Sequence, residues 1–171
     1  KNQITNVVAN QGTALTDSQL NLVWRFSKNP IICFDGDKSG NDAAVRAAEK
    51  LFLHLKPEHN IYFLFLPEDL DPDNFVSKFG NKKFVELTTS KITIYDFLWN
   101  YYLAQSDRNN PSSYAALEKK IKNLCSQIAD KELNKHFLEY FLKKIYTLTP
   151  FSNNIKNSKK IKKLSVPLYE T

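Results

Sequence analysis

The stretch from Pro30 to Pro67 switches between two kinds of apolar pattern, and no other feature narrows the possible folds as much. "IICF" (31–34) is a continuous apolar run of strand length, and "IYFLFLP" (61–67) is a second. Between them Ala43, Ala44, Ala47, Ala48, Leu51, Phe52 and Leu55 recur at helical spacing until Pro57 stops the helix. Small residues on that face let the helix lie close against a sheet. Two buried strands joined through such a helix make a right-handed crossover and run parallel. Upstream, "ITNVVA" (4–9) reads as a further short strand. "TDSQLNLVWRF" (16–26) reads as a helix opened by a Thr16–Gln19 capping box, with Leu20, Val23, Trp24 and Phe26 on its apolar face. The expected class is α/β, a parallel sheet with flanking helices.

The pattern changes after Gly80. All four glycines (Gly12, Gly36, Gly40, Gly80) lie at or before it, each in a loop or at a helix boundary. Beyond it Tyr95, Leu98 and Tyr102 repeat at helical spacing, as do Leu117, Ile121, Leu124 and Ile128, and then Phe137, Phe141, Ile145 and Leu148. These stripes read as core. Pro111–Ser112 and Asp130 separate the helices, and Pro150 closes the last. Residues 151–171 lack sustained periodicity and read as a basic linker or tail. The expected organisation is therefore an α/β part over 1–80, an all-α part over 81–150 and the tail.

The end of each strand carries an acidic pair. "FDGDKSG" (34–40) places Asp35 and Asp37 two apart, where extended geometry sends both side chains the same way. Side-by-side carboxylates repel unless a cation holds them. An Asx-Gly turn with solvated acids and a divalent-metal site at the carboxyl edge of the sheet are both consistent with this stretch. "LPEDLDPDNF" (66–75) repeats the puzzle with Asp71 and Asp73. Ends of parallel strands lie at one edge, so four carboxylates would converge there, a charge density that calls for metal. Oxygen donors without His or Cys favour Mg²⁺ or Mn²⁺ over zinc. Asp71 also fits a helix N-cap with Pro72 in the first turn, and Ser39 with Asp42 fits the start of the preceding helix. Lys38 reads as a phosphate contact or as a solvated neighbour of two acids.

With 171 residues, 42% of them hydrophobic, the chain is long enough for one sizeable core, or for one domain with an appendage. No apolar run approaches the roughly 20 residues of a membrane span, so no membrane partner is expected, and no secretory signal opens the chain. Cys33 and Cys125 lack metal-type spacing and read as reduced, buried residues of a cytosolic protein. His54, His59 and His136 are scattered, which gives an imidazole-based centre no support. Methionine is absent, and a chain opening at Lys1 without one reads as a piece of something longer. Residues 1–117 carry 12 basic and 13 acidic groups, and residues 118–171 carry 12 and 5. A basic part beside a metal site suits a polyanionic partner, although a solubilising lysine bias accounts for the charge equally well.

"VVANQGTALTDSQL", "IICFDGDKSGNDAAVRAAEK" and "FLPEDLDPDNFVSKFG" resemble, in order and spacing, the second half of the Toprim catalytic core of bacterial DNA primases. The three segments span about residues 5–80. Asp-Gly-Asp alone occurs throughout Toprim proteins, and it is the other two segments that point to the primases. The resemblance implies a partial Toprim fold over 1–80, the helical subdomain of the primase polymerase core over 81–150, and a linker beyond. It further implies RNA primer synthesis on a single-stranded DNA template from ribonucleoside triphosphates, by metal-dependent nucleotidyl transfer at the replication fork in the cytoplasm. Carried across, Asp35 and Asp37 match the Toprim metal aspartates. Asp71 and Asp73 match the second acidic pair, which serves the same metals or the incoming triphosphate. The four together make the expected catalytic set, metal falls to Asp35, Asp37 and Asp71, and Lys38 is the expected phosphate contact.

The Toprim centre also uses a glutamate after an earlier strand, and nothing acidic precedes Asp17 here. The resemblance therefore reads the chain as a fragment of the enzyme, expected to make no primers alone. Zinc would belong to a domain absent from this chain, and the replicative helicase would bind through a region absent from it. Two rivals remain. A haloacid-dehalogenase-type phosphatase also places Asp-x-Asp after an apolar strand, but it wants Thr or Val shortly after the second Asp, where this chain has Ser39 and Gly40. It also leaves Asp71 and Asp73 unexplained. The other rival is a non-catalytic module that binds nucleic acid or protein through the basic helices.

Overall fold

The computed structural model describes residues 4, 6–9, 15–67, 70–107 and 109–148. The basic tail, Lys156, Lys159, Lys160, Lys162 and Lys163 included, lies outside them, as does most of the Gly-Thr-Ala-Leu-Thr segment.

Helix α1 (Asp17–Trp24) begins with the expected capping box. The Gln19 backbone N–H donates to the Thr16 hydroxyl at 3.3 Å, and the Thr16 N–H donates to the Gln19 side chain at 2.8 Å. Leu20 and Trp24 are buried, but the helix stops before Phe26, which is 85% exposed. Phe26 therefore does not join the apolar face, because leaving the helix removes the periodicity that would aim it inward.

Strand β1 (Ile31–Phe34), helix α2 (Lys38–Phe52) and strand β2 (Tyr62–Phe65) form the crossover. The strands pair in parallel, with Ile31 opposite Tyr62 and Phe34 opposite Phe65. Ala44 and Ala48 of α2 are fully buried, as the small-residue face requires. Helix α3 (Pro72–Leu87) follows β2, broken internally at Gly80, whose φ of 79° suits a residue without a β-carbon. Strand β3 (Ile92–Thr93) leads directly into helix α4 (Ile94–Ala104). Helices α5 (Pro111–Ser126) and α6 (Lys131–Leu148) complete the described chain.

Two expectations change here. Among the described residues the sheet has three strands in the order β1-β2-β3, and β3 runs antiparallel to β2. The sheet is thus mixed, because the chain returns through α3 and offers Ile92 and Thr93 to Phe63 and Tyr62 before turning into α4. Residues 4 and 6–9 form no strand, and Val7 and Val8 are 61% and 83% exposed. A short apolar run becomes a strand only where a neighbour satisfies its backbone and covers its side chains.

One core joins both halves of the sequence. Leu51, Phe52, Ile61 and Phe63 share it with Ile94, Leu98, Trp99, Ile121, Phe141 and Ile145. The Phe52 ring meets Phe137 edge-on at 4.8 Å and Phe141 at 6.1 Å, so α2 packs on α6. Burying each such side chain contributes about 1.5–3 kcal/mol, before the entropy cost of ordering the chain. Two polar ties supplement it. The Tyr102 hydroxyl donates to Glu49 at 2.8 Å, and Asp96 gathers the hydroxyls of Thr93 and Tyr140 and the Lys144 ammonium. Phe63 and Leu64 are both buried, and alternation sends them to opposite faces, so the central strand is covered on both sides. No helix among the described residues is long and apolar enough to cross a membrane.

Candidate metal centre

Both acidic loops leave the sheet level with each other. β1 and β2 are parallel and in register to their last residues, so Asp35 follows Phe34 at the edge where Leu66 follows Phe65. The Leu66 N–H donates to the Phe34 carbonyl at 3.1 Å, and the Gly36 N–H donates to the Leu70 carbonyl at 3.2 Å. The loop carrying Asp35 and Asp37 is therefore bonded to the loop that delivers Asp71.

Each loop ends in an aspartate that caps a helix. Asp37 is extended (φ −95°, ψ 177°) and accepts the Gly40 N–H at 2.6 Å. The cap thus falls before Ser39 and Asp42, where the sequence pattern had suggested the helix start. The reason is local: the Ser39 hydroxyl donates to both Asp37 carboxylate oxygens at 3.1 Å and supports Asp37 as the cap. Asp71 caps α3 with Pro72 in the first turn, as expected. The Asn74 N–H reaches one Asp71 oxygen at 2.7 Å and the Asn74 side-chain amide reaches the other at 2.7 Å. Asn74 was not singled out from the sequence, although its position three residues after Asp71 is the capping signal that would have found it.

Asp35 is exposed, Asp73 is exposed in the first turn of α3, and Lys38 is exposed as the first residue of α2. The two helix N-termini add partial positive charge at the edge where the carboxylates collect. Below Asp35 the Cys33 thiol is pushed up to about 11 by burial, with the Asp35 charge adding to the effect. It therefore stays protonated at neutral pH.

The structure brings Asp35, Asp37, Asp71 and Asp73 to one edge, but among the described residues no three of His, Cys, Asp and Glu lie together as a metal-holding group. Asp37 and Asp71 turn carboxylate oxygens toward their own helices. The donor set nevertheless fits a hard divalent cation. Every candidate ligand is a carboxylate oxygen, and Mg²⁺ commonly keeps several waters and takes one or two carboxylates together with substrate phosphates.

Parallel strands with acidic loops at their carboxyl edge make an α/β unit of the ligand-binding kind, and a family model described as Toprim-like matches residues 1–76, which carry both loops. The DNA primase of Rickettsia prowazekii (strain Madrid E) is 31% identical over 158 residues, covering 87% of this chain and 27% of that protein. A solved DnaG catalytic core superposes with a TM-score of 0.77 at 30% identity, covering 88% of this chain and 48% of that one. A DnaG primase catalytic domain bound to single-stranded DNA gives a TM-score of 0.69 at 30% identity, covering 78% and 43%. The chain is thus similar, over most of its length, to bacterial DNA primases and to the solved catalytic cores of that enzyme. It spans about a quarter of the length of the primase relatives it matches.

Proposed function

We propose that this chain supplies the metal-binding carboxylates of a primase that makes RNA primers on single-stranded DNA from ribonucleoside triphosphates in the cytoplasm. The observation that carries the reading is the pairing of the Asp35–Asp37 loop with the Asp71 loop at one sheet edge, through the Gly36–Leu70 hydrogen bond. The solved relative bound to single-stranded DNA supports the template as partner.

Asp35, Asp37 and Asp71 would hold Mg²⁺ or Mn²⁺, which when bound neutralises triphosphate charge and aligns the attacking 3′-hydroxyl. The residues of this chain perform the positioning. Asp37 is fixed by the Gly40 N–H and the Ser39 hydroxyl, and Asp71 by Asn74. Asp35 has no such cap contact and projects from the strand end as the more open carboxylate. Asp73 adds charge beside Asp71. Lys38, in the first turn of α2, stands where a phosphate drawn to that helix N-terminus would meet it.

The test is Asp35→Asn and Asp37→Asn in a complete enzyme carrying this segment, assayed on single-stranded template with four ribonucleoside triphosphates and Mg²⁺. Asparagine caps helices as well as aspartate does, so the fold should persist while primer synthesis is lost. Near-unchanged synthesis in either variant would refute the metal role.

A further inference from the structure

The residue between the two aspartates is enclosed by the neighbouring loop. A β-carbon on Gly36 would stand 2.1 Å from the Pro67 carbonyl oxygen and 2.6 Å from that of Leu66. Both are backbone atoms, so no rotamer change relieves the clash. The Gly36 N–H is bonded to the Leu70 carbonyl, and the Leu70 N–H donates to the Pro67 carbonyl at 3.2 Å. Asp71 follows at once and caps α3. Gly40 repeats the constraint within the first loop, where a β-carbon would lie 2.3 Å from the Asp35 carbonyl oxygen. The backbone of the first acidic loop is therefore seated against the second with no room between them.

We infer that Gly36 is a positioning residue: it sets the separation between the Asp35–Asp37 pair and Asp71 by direct backbone contact. A side chain at this position displaces the Leu66 and Pro67 carbonyls and, through Leu70, moves Asp71 away from the first pair. This rests on the metal-binding reading above only for its consequence. The contact itself is independent of any ligand. Displacing a group that orients metal-binding carboxylates typically weakens metal affinity by about tenfold or more.

The experiment uses amide NMR spectra of the 171-residue chain and of Gly36→Ala, with Mn²⁺ alone as probe. In Gly36→Ala the Leu70 and Asn74 amide resonances should move. In the unsubstituted chain Mn²⁺ should broaden amides near both 35–40 and 70–74, and the substitution should raise the Mn²⁺ needed on the 70–74 side about tenfold. Ile121→Val, a core change in α5, should lower stability and leave the Mn²⁺ requirement unchanged, which separates positioning from general destabilisation. If Gly36→Ala does not fold, hydrogen exchange in the unsubstituted chain decides: protection of the Gly36 amide supports the contact, and exchange at the free-loop rate overturns it. Unmoved Leu70 and Asn74 resonances in a folded Gly36→Ala overturn the coupling whatever the metal does. Moved resonances without any Mn²⁺ broadening of the unsubstituted chain refute metal binding by this chain and leave the coupling standing.

Discussion

Phe34 and Phe65 stand opposite each other as the last residues of β1 and β2, their rings stacked 5.7 Å apart at 21°. The chain turns acidic immediately after the first of these rings, and the second opens the loop that ends in Asp71. Because the ladder stays in register to that point, neither loop starts deeper than the other. Each then closes in the same way, with an aspartate on a helix N-terminus and a nearby polar side chain on its carboxylate.

That dual use of Asp37 separates charge from capping. Asp37→Ala removes the oxygen that accepts the Gly40 N–H and should cost about 1 kcal/mol, whereas Asp37→Asn keeps an accepting oxygen and should cost much less. Asp71→Ala and Asp71→Asn should differ in the same direction. Urea unfolding of the four variants measures this. Equal losses for Ala and Asn at both sites would show that charge, not capping, is what the fold uses.

Tyr102 contributes to the alkaline limb of stability through one hydroxyl. Burial first, and then the hydrogen bond to Glu49, raise its ionisation well above the usual tyrosine range. The folded state favours the protonated phenol, so this contribution is complete below about pH 10, the unfolded value, and is lost as pH rises beyond it. Tyr102→Phe should lower stability at pH 7 by about 1 kcal/mol and flatten the decline above pH 10. Parallel alkaline declines in the two proteins would remove Tyr102 as the cause.

What could be read in advance was local. The Thr16–Gln19 box, the Asp71-Pro72 cap and the alanine face of α2 each depend on residues within a turn or two of one another. What escaped depended on partners distant in sequence. Residues 4 and 6–9 have the composition of a strand but take no strand structure, and Ile92–Thr93 is too short to announce itself yet pairs with β2. The acidic pairs were legible as a site because parallel strands bring their ends together. The backbone contact of Gly36 with Pro67 was not, since nothing in "FDGDKSG" shows which loop will lie against it.

The shared core predicts joint melting. Phe141 is fully buried in α6 and its ring lies 6.4 Å from Trp99 and 6.1 Å from Phe52. Phe141→Ala should cost about 3–5 kcal/mol. Trp24 of α1 and Trp99 of α4 belong to the same core, so fluorescence and far-ultraviolet circular dichroism should report one coincident transition, shifted together in the variant. A transition confined to the helices beyond residue 80, with α1, α2 and the β1–β2 pair retained, would instead establish two independent units.

Asp96 should govern the acid limb. Its carboxylate accepts the Thr93 hydroxyl at 2.8 Å, the Lys144 ammonium at 2.5 Å and the Tyr140 hydroxyl. Burial alone would raise its ionisation, but the bonds from Lys144, Tyr140 and Thr93 outweigh that and hold it below the usual carboxylate range. The folded state thus favours the charged form. Its contribution is complete above the unfolded value of about 3.9 and disappears as pH falls through the lower folded value. Asp96→Asn loses the ion pair and the charge on the shared oxygen while keeping a group that can accept from Thr93. With side chains about a third exposed, solvent screening reduces the expected loss to about 1 kcal/mol at pH 7. The two proteins should stay separated by that amount down to about pH 5 and converge below about pH 4. Urea unfolding at pH 7, 5 and 3.5 measures the separation, and a gap that persists unchanged at pH 3.5 would mean that Asp96 acts through packing and not through its charge.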